Sequence, residues 1–118
     1  MISGDTIVAQ ATPFGYSGTA LIRISGPSSA DILTKLTGIG VFAPRVSTYS
    51  KIKSKDNNTI DGALVVLYPA PASYTGENVV EISPHGNPSI ITDIIETICS
   101  FGARLAEPGE FTRRAFIN

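Results

Sequence analysis

A surplus of charge of either sign is missing from this sequence: nine Lys and Arg stand against ten Asp and Glu in 118 residues, a net charge of -1. No broad basic field is available to hold a nucleic-acid backbone, so any such contact is expected to be local or made through a partner. Also absent is an unbroken apolar run near the ~20 residues that a membrane span requires. No membrane association is expected, although 42% of the residues are apolar and mean hydropathy is +0.18. Part of that apolar excess is expected in a protein interface. The opening MISGDTIVAQ has no basic segment followed by a long apolar core, so it does not resemble a signal peptide. The single cysteine, Cys99, has no disulfide partner in the chain and suits a reducing, cytoplasmic location. With one His and no ligand spacing, a metal site is not expected. The phosphate-wrapping pattern G-x-x-x-x-G-K-[ST] does not occur, and TGIGVFAP is no dinucleotide fingerprint.

What is present is a series of short elements punctuated by Gly, Pro, Asn and Ser, without repeats or a low-complexity linker. The length suits one domain over residues 1–118 with one core, burying about two-thirds of the surface its unfolded chain exposes. Alternation predicts strands over DTIVAQAT (5–12), TALIRIS (19–25), RVSTYSKIK (45–53), IDGALVVLYP (60–69) and ENVVEIS (77–83). A turn-rich loop, PFGYSG, separates the first two, and SKDNNT makes a hairpin of the third and fourth. A helix is expected from Pro27 to Gly38 with Ala30, Leu33 and Leu36 on its buried face. Asn87 caps a second helix whose stripe is Ile90, Ile91, Ile94, Ile95 and Ile98, ending at Gly102. ARLAEPGEF reads as a brief extended segment with a Pro-Gly turn, and FTRRAFIN as the opening of a third helix. The order gives an α+β domain: a mixed sheet of about five to six strands with two to three helices packed on it.

Three polar features stand out. Arg23 sits mid-strand on the face shared by Leu21 and Ser25, and Glu81 on the face shared by Val79 and Ser83. Opposite charges on neighbouring strands either pair with each other or complete the hydrogen bonds of a polar ligand; desolvation of several kcal/mol per buried ion leaves both readings open. His85, at the strand-to-helix bend, is read as satisfying local backbone groups rather than as a general base, since no catalytic partner is visible. Lys51, Lys53 and Lys55 alternate and read as a solvated strand face that discourages edge pairing.

Five stretches, DTIVAQATPFG, LIRISGP, PAPASYTGENVVEI, HGNP and GARLAEPGEFTRRAFIN, closely resemble the N-terminal domain of the bacterial tRNA modification GTPases of the MnmE, or TrmE, type. The likeness runs over essentially the whole chain with the motifs in order. It implies a folate-binding, homodimerising module related to the tetrahydrofolate-binding domain of the glycine cleavage T protein. In that family a 5-formyl- or 5,10-methylene-tetrahydrofolate binds here, and the folate-contacting Arg and Glu fall on Arg23 and Glu81. A pterin offers an amino group and a ring N–H side by side, which one carboxylate accepts in parallel. A further family contact is a lysine just after the position of Asn118. The resemblance implies a longer protein, with helical and GTPase domains using GTP, Mg and K, and a FAD-dependent partner, MnmG (GidA), in a heterotetramer or larger complex. Together they modify C5 of the wobble uridine (position 34) of certain tRNAs. The 118 residues therefore read as a fragment with no catalytic residue of their own, not expected to be active alone. Two departures from the pattern are Tyr16, where a basic residue is usual, and Asn87, where Gly is usual. The alternatives are a structural dimer module with a decayed folate site and an aminomethyltransferase domain of the glycine cleavage type.

Overall fold

A computed structural model describes residues 4–12, Gly15 and residues 17–118. Eight strands and three helices follow in the order β1 (Ile7–Gln10), β2 (Ser17–Thr19), β3 (Ile22–Ser25), α1 (Ser29–Thr37), β4 (Thr48–Lys53), β5 (Thr59–Tyr68), β6 (Val79–Ser83), β7 (His85–Gly86), α2 (Pro88–Ser100), β8 (Arg104–Leu105) and α3 (Glu110–Ile117). Six strands form one sheet in the order β4-β5-β6-β3-β1-β8. Its pairs are antiparallel except β1 with β8, so the sheet is mixed, as the sequence predicts. A separate two-stranded piece joins β2 to β7. Of the loop read over residues 13–18, Pro13, Phe14 and Tyr16 lie outside the described residues.

Alternation along the strands sends one set of side chains to each face. On the first face Val8, Ile22, Ile24, Val65, Val80 and Ile82 meet Ile32, Leu33 and Leu36 of α1 and Ile91, Ile94 and Ile98 of α2, all buried. Each such side chain contributes about 1.5 to 3 kcal/mol by leaving water, so this layer supplies most of the driving force for folding. The Asn87 carboxamide accepts hydrogen bonds from the Ser89 and Ile90 amides at 2.8 and 3.4 Å, and Pro88 follows it at the first helical position. These are the amides that a helix start leaves without intrahelical partners.

The first helix departs from expectation. It begins at Ser29 rather than Pro27, and its buried residues are Ser29, Ile32, Leu33, Leu36 and Thr37, with Ala30 half-buried at the flank. The cause is the turn before it: the Gly26 amide donates to the Asn78 carbonyl at 3.0 Å, while the Ser29 hydroxyl donates to the carbonyls of Gly26 and Asn78. Gly26 has φ of 137°, and a Cβ there would stand 2.7 Å from the Thr6 Cα, so no other residue fits without moving backbone. Lys55 departs as well, lying past the end of β4 in the hairpin turn, beside a groove against α2, while Lys51 and Lys53 alternate on β4 itself.

The opposite face of the sheet positions the candidate site. A row of directly opposed residues crosses it, Ala9 to Arg23 to Glu81 to Val66. At one end α3 and the loop between β5 and β6 lie over this face; toward β4 it is open, with Tyr49 and Leu64 exposed.

Candidate functional site

Arg23 and Glu81 stand opposite one another on adjacent inner strands. Facing residues on antiparallel strands come within about 4.5 to 5.5 Å at Cβ, which leaves a long guanidinium little choice but to fold onto the carboxylate. Arg23 Nε and Nη2 both donate to Glu81 Oε2 at 3.0 Å. Both bonds land on one carboxylate oxygen, and Oε1 takes neither. Each side chain is 22% exposed, so the pair is not sealed from water and its desolvation cost is far below that of a fully buried pair.

Two aromatic rings flank the guanidinium: Tyr74, with its centroid 4.9 Å from Cζ, and Phe111, at 5.9 Å. Both distances are within cation–π range. Tyr74 belongs to the β5–β6 loop and Phe111 to α3, and the two are joined where the Tyr74 hydroxyl meets the Thr112 hydroxyl at 3.0 Å. Beside Arg23 opens a cleft of about 550 Å³, walled by Ala9 to Ala11 of the β1 end and by Ala106 to Thr112. Arg23 is one of its walls; Glu81 is not, and meets the cleft through the Arg23 guanidinium.

An ion network beneath holds α3 in place. Arg114 is 6% exposed. Its Nη1 donates to Glu77 Oε1 at 3.1 Å and to the Asp5 carbonyl at 3.0 Å, and its Nη2 to Asp5 Oδ1 at 2.8 Å and Glu110 Oε2 at 3.1 Å. The Ser25 hydroxyl donates to the same Glu77 Oε1 at 2.7 Å. Arg104 forks onto both oxygens of Glu110 at 2.9 and 2.6 Å. The hydrogen bonds from Arg104 hold the Glu110 carboxyl down at about 2, against the upward pull of its burial. This network was not foreseen from the sequence; the one local signal is the spacing of Glu110 and Arg114, one helical turn apart.

His85 lies apart from this cluster. Its amide donates to Asp61 Oδ2 at 2.9 Å, and its ring Nδ1 lies 3.0 Å from both Asp61 oxygens. Burial pushes the Asp61 carboxyl up, but the His85 amide and ring outweigh it, so it titrates below its ordinary value. The His85 ring thus meets a carboxylate 24 residues away on β5 rather than the local backbone groups expected from the sequence, and its side chain is 72% exposed. Asn87 acts as the helix cap described above. Cys99 is half-buried, and burial raises its thiol. No helix among the described residues is long and apolar enough to cross a membrane.

A six-stranded mixed sheet with α1 and α2 on one face, and α3 beside a cleft on the other, defines an α+β domain. Comparison with known proteins fixes the family: the chain matches the model described as GTP-binding protein TrmE N-terminus over residues 6–118, and it belongs to that family. Among similar relatives, a tRNA modification GTPase MnmE of Francisella tularensis subsp. holarctica is 49% identical over 118 residues, covering 100% of this chain and 26% of the relative. Proteins of the same name from Legionella pneumophila (strain Corby) and Halorhodospira halophila are 44% and 43% identical, over 99% and 97% of this chain and 26% and 24% of theirs. The chain thus spans about a quarter of the length of the curated relatives it matches.

Proposed function

We propose that this domain binds a tetrahydrofolate derivative, 5-formyl or 5,10-methylene, at the Arg23–Glu81 pair, and that it self-associates. The observation that carries the reading is the placement of that pair: the Arg23 guanidinium lies between Tyr74 and Phe111 at the edge of a cleft and is bonded to Glu81 behind it. The residues fit the ligand's chemistry. Glu81 Oε1 remains as an acceptor for pterin N–H groups, Arg23 Nη1, which makes neither bond to Glu81, suits a carbonyl or carboxylate, and the rings offer faces to a flat heterocycle. Bound there, the folate would supply a one-carbon unit. The chain's own part is to bind and orient it and to keep water from the ring that Tyr74 and Phe111 cover.

In the whole protein we infer the role that its relatives' names give them, modification of tRNA by a GTPase. GTP hydrolysis with Mg and K would reside outside these residues, and the wobble uridine at C5 and the FAD-dependent partner MnmG (GidA) complete the reading, in the cytoplasm. A second reading, a structural dimer module, is favoured by one fact: Arg23 and Glu81 satisfy each other without a ligand. Calorimetric titration of 5-formyltetrahydrofolate into wild type and Glu81→Gln, with thermal melts of both, separates the two. The folate reading expects about a thirtyfold to hundredfold weaker binding in the variant, from a lost charged acceptor worth about 2 to 3 kcal/mol. A lowered melting temperature with no folate binding by wild type, in a chain extended past Asn118, would reject it.

A further inference from the structure

The near-neutral net charge conceals a separation of charge. Most cations in the fold are matched: Arg23 to Glu81, Lys35 to Asp31, Arg104 and Arg114 to Asp5, Glu77 and Glu110, and Arg113 to Glu107. Residues 45–53, in contrast, hold Arg45, Lys51 and Lys53 and no carboxylate. Among the described residues none of these three forms a salt bridge. Lys51 and Lys53 lie on β4, an outermost strand of the sheet, and Arg45 just before it. Between them Tyr49, 67% exposed, lies across Gly62 of the neighbouring strand, where a Cβ would be 2.7 Å from the phenol Cζ. Only glycine lets the ring rest there. Tyr49 also borders a shallow hollow of about 160 Å³, with Leu64, Ser83 and the outward ring of His85 on its rim.

We propose that this β4 edge, through Tyr49, Lys51 and Lys53, is a contact surface for a single-stranded stretch of RNA. An exposed ring on a sheet face stacks a base of any identity, and lysines without ion-pair partners two residues apart on one strand neutralise backbone phosphates. A second copy of the chain fits this edge less well, since pairing it with itself brings cations against cations, the arrangement by which edge strands resist such pairing. The contact is small and local, which is all that a chain of net charge -1 permits. The choice of RNA over DNA rests on the tRNA-linked role proposed above; the folate site plays no part in it.

The test is fluorescence anisotropy of a labelled, unmodified tRNA transcript with the full chain, at about 50 and about 200 mM salt. Lys51→Glu combined with Lys53→Glu is expected to weaken binding at least about tenfold and to flatten the log–log salt dependence by about 1.5, two contacts' worth. Tyr49→Ala is expected to weaken binding by about tenfold with the salt slope unchanged, since stacking releases no counterions. Lys35→Glu, on a paired lysine of α1, is the control and should match wild type. Unchanged folate titration in the lysine variant keeps the two sites distinguishable. Equal affinities of wild type and both β4 variants would overturn the proposal, as would no binding at the lower salt. Equal binding of single-stranded DNA of the same sequence would overturn the RNA assignment. A Tyr49→Ala variant that loses self-association but keeps RNA affinity would give the face to a second copy instead.

Discussion

Replacing Arg114 by Met removes the cation to which three acidic side chains converge, and the structure sets the size of the effect. Glu77 is 8% exposed and loses both its Arg114 contacts, keeping the Ser25 hydroxyl as a donor. Asp5 and Glu110 fare better, because Arg104 still reaches both. The loss is therefore that of one carboxylate left buried without its ion, about 3 to 5 kcal/mol, rather than of three. That is a fifth or more of the ~5 to 15 kcal/mol that holds a typical domain together. Urea unfolding monitored by far-ultraviolet circular dichroism measures it as a lower midpoint at constant slope. Adding Glu77→Met to Arg114→Met removes the orphaned charge and should recover part of the loss, whereas Arg114→Lys keeps the charge without the fork and should fall between. An Arg114→Met unfolding free energy within about 1 kcal/mol of wild type would refute the view that this network fastens α3.

Acid should act on the same network. Glu110 titrates at about 2 when folded against an ordinary 4.5, so the unfolded chain takes up the proton first, and stability falls as pH drops from about 4.5 to about 2. Up to about 3 kcal/mol is lost across that window, and Glu110→Gln, measured by urea melts at pH 6, 4 and 3, should show a correspondingly shallower acid dependence. Gly26→Ala and Gly62→Ala should differ sharply in thermal melts. The first drives a Cβ into the Thr6 backbone at positive φ and should cost more than about 2 kcal/mol; the second meets only the movable Tyr49 ring and should cost less than about 1.5.

Much of the fold was legible in the sequence, for physical reasons that particular elements show. β3 and β6 carry apolar residues at every second position, and α2 carries a cap, a proline and an isoleucine stripe within thirteen residues. β2 and β7 were not legible, because three and two residues are too few to show a period, and their pairing is made across the fold. The first helix was placed by its proline, but the turn built on Gly26 and Asn78 moved the start and rotated the buried face. In the candidate site, Arg23 and Glu81 were visible as charges where strands are usually apolar. Tyr74, Phe111 and the Arg114 partners were not, since loop and helix reach them from far along the chain: Asp5 and Arg114 are 109 residues apart.

That separation bears on the order in which the domain comes together. β1 lies between β3, close in sequence, and β8, whose Arg104 pairs with Ile7 only after most of the chain has been made. At about 5 to 20 residues per second on a ribosome, Asp5 waits roughly 5 to 20 s for Arg114 to be synthesised. The apolar layer between sheet and helices needs nothing beyond Ala103, so it has time to condense first, with Glu77 still in water. An ion network that closes after that layer acts as a latch on a body already formed, and a lower unfolding rate constant in wild type than in Arg114→Met, at equal folding rate, is the expected signature. Interactions absent from the folding transition state leave the folding rate alone and govern how fast the native state opens. The latch therefore sets the lifetime of the folded domain more than the speed of its birth.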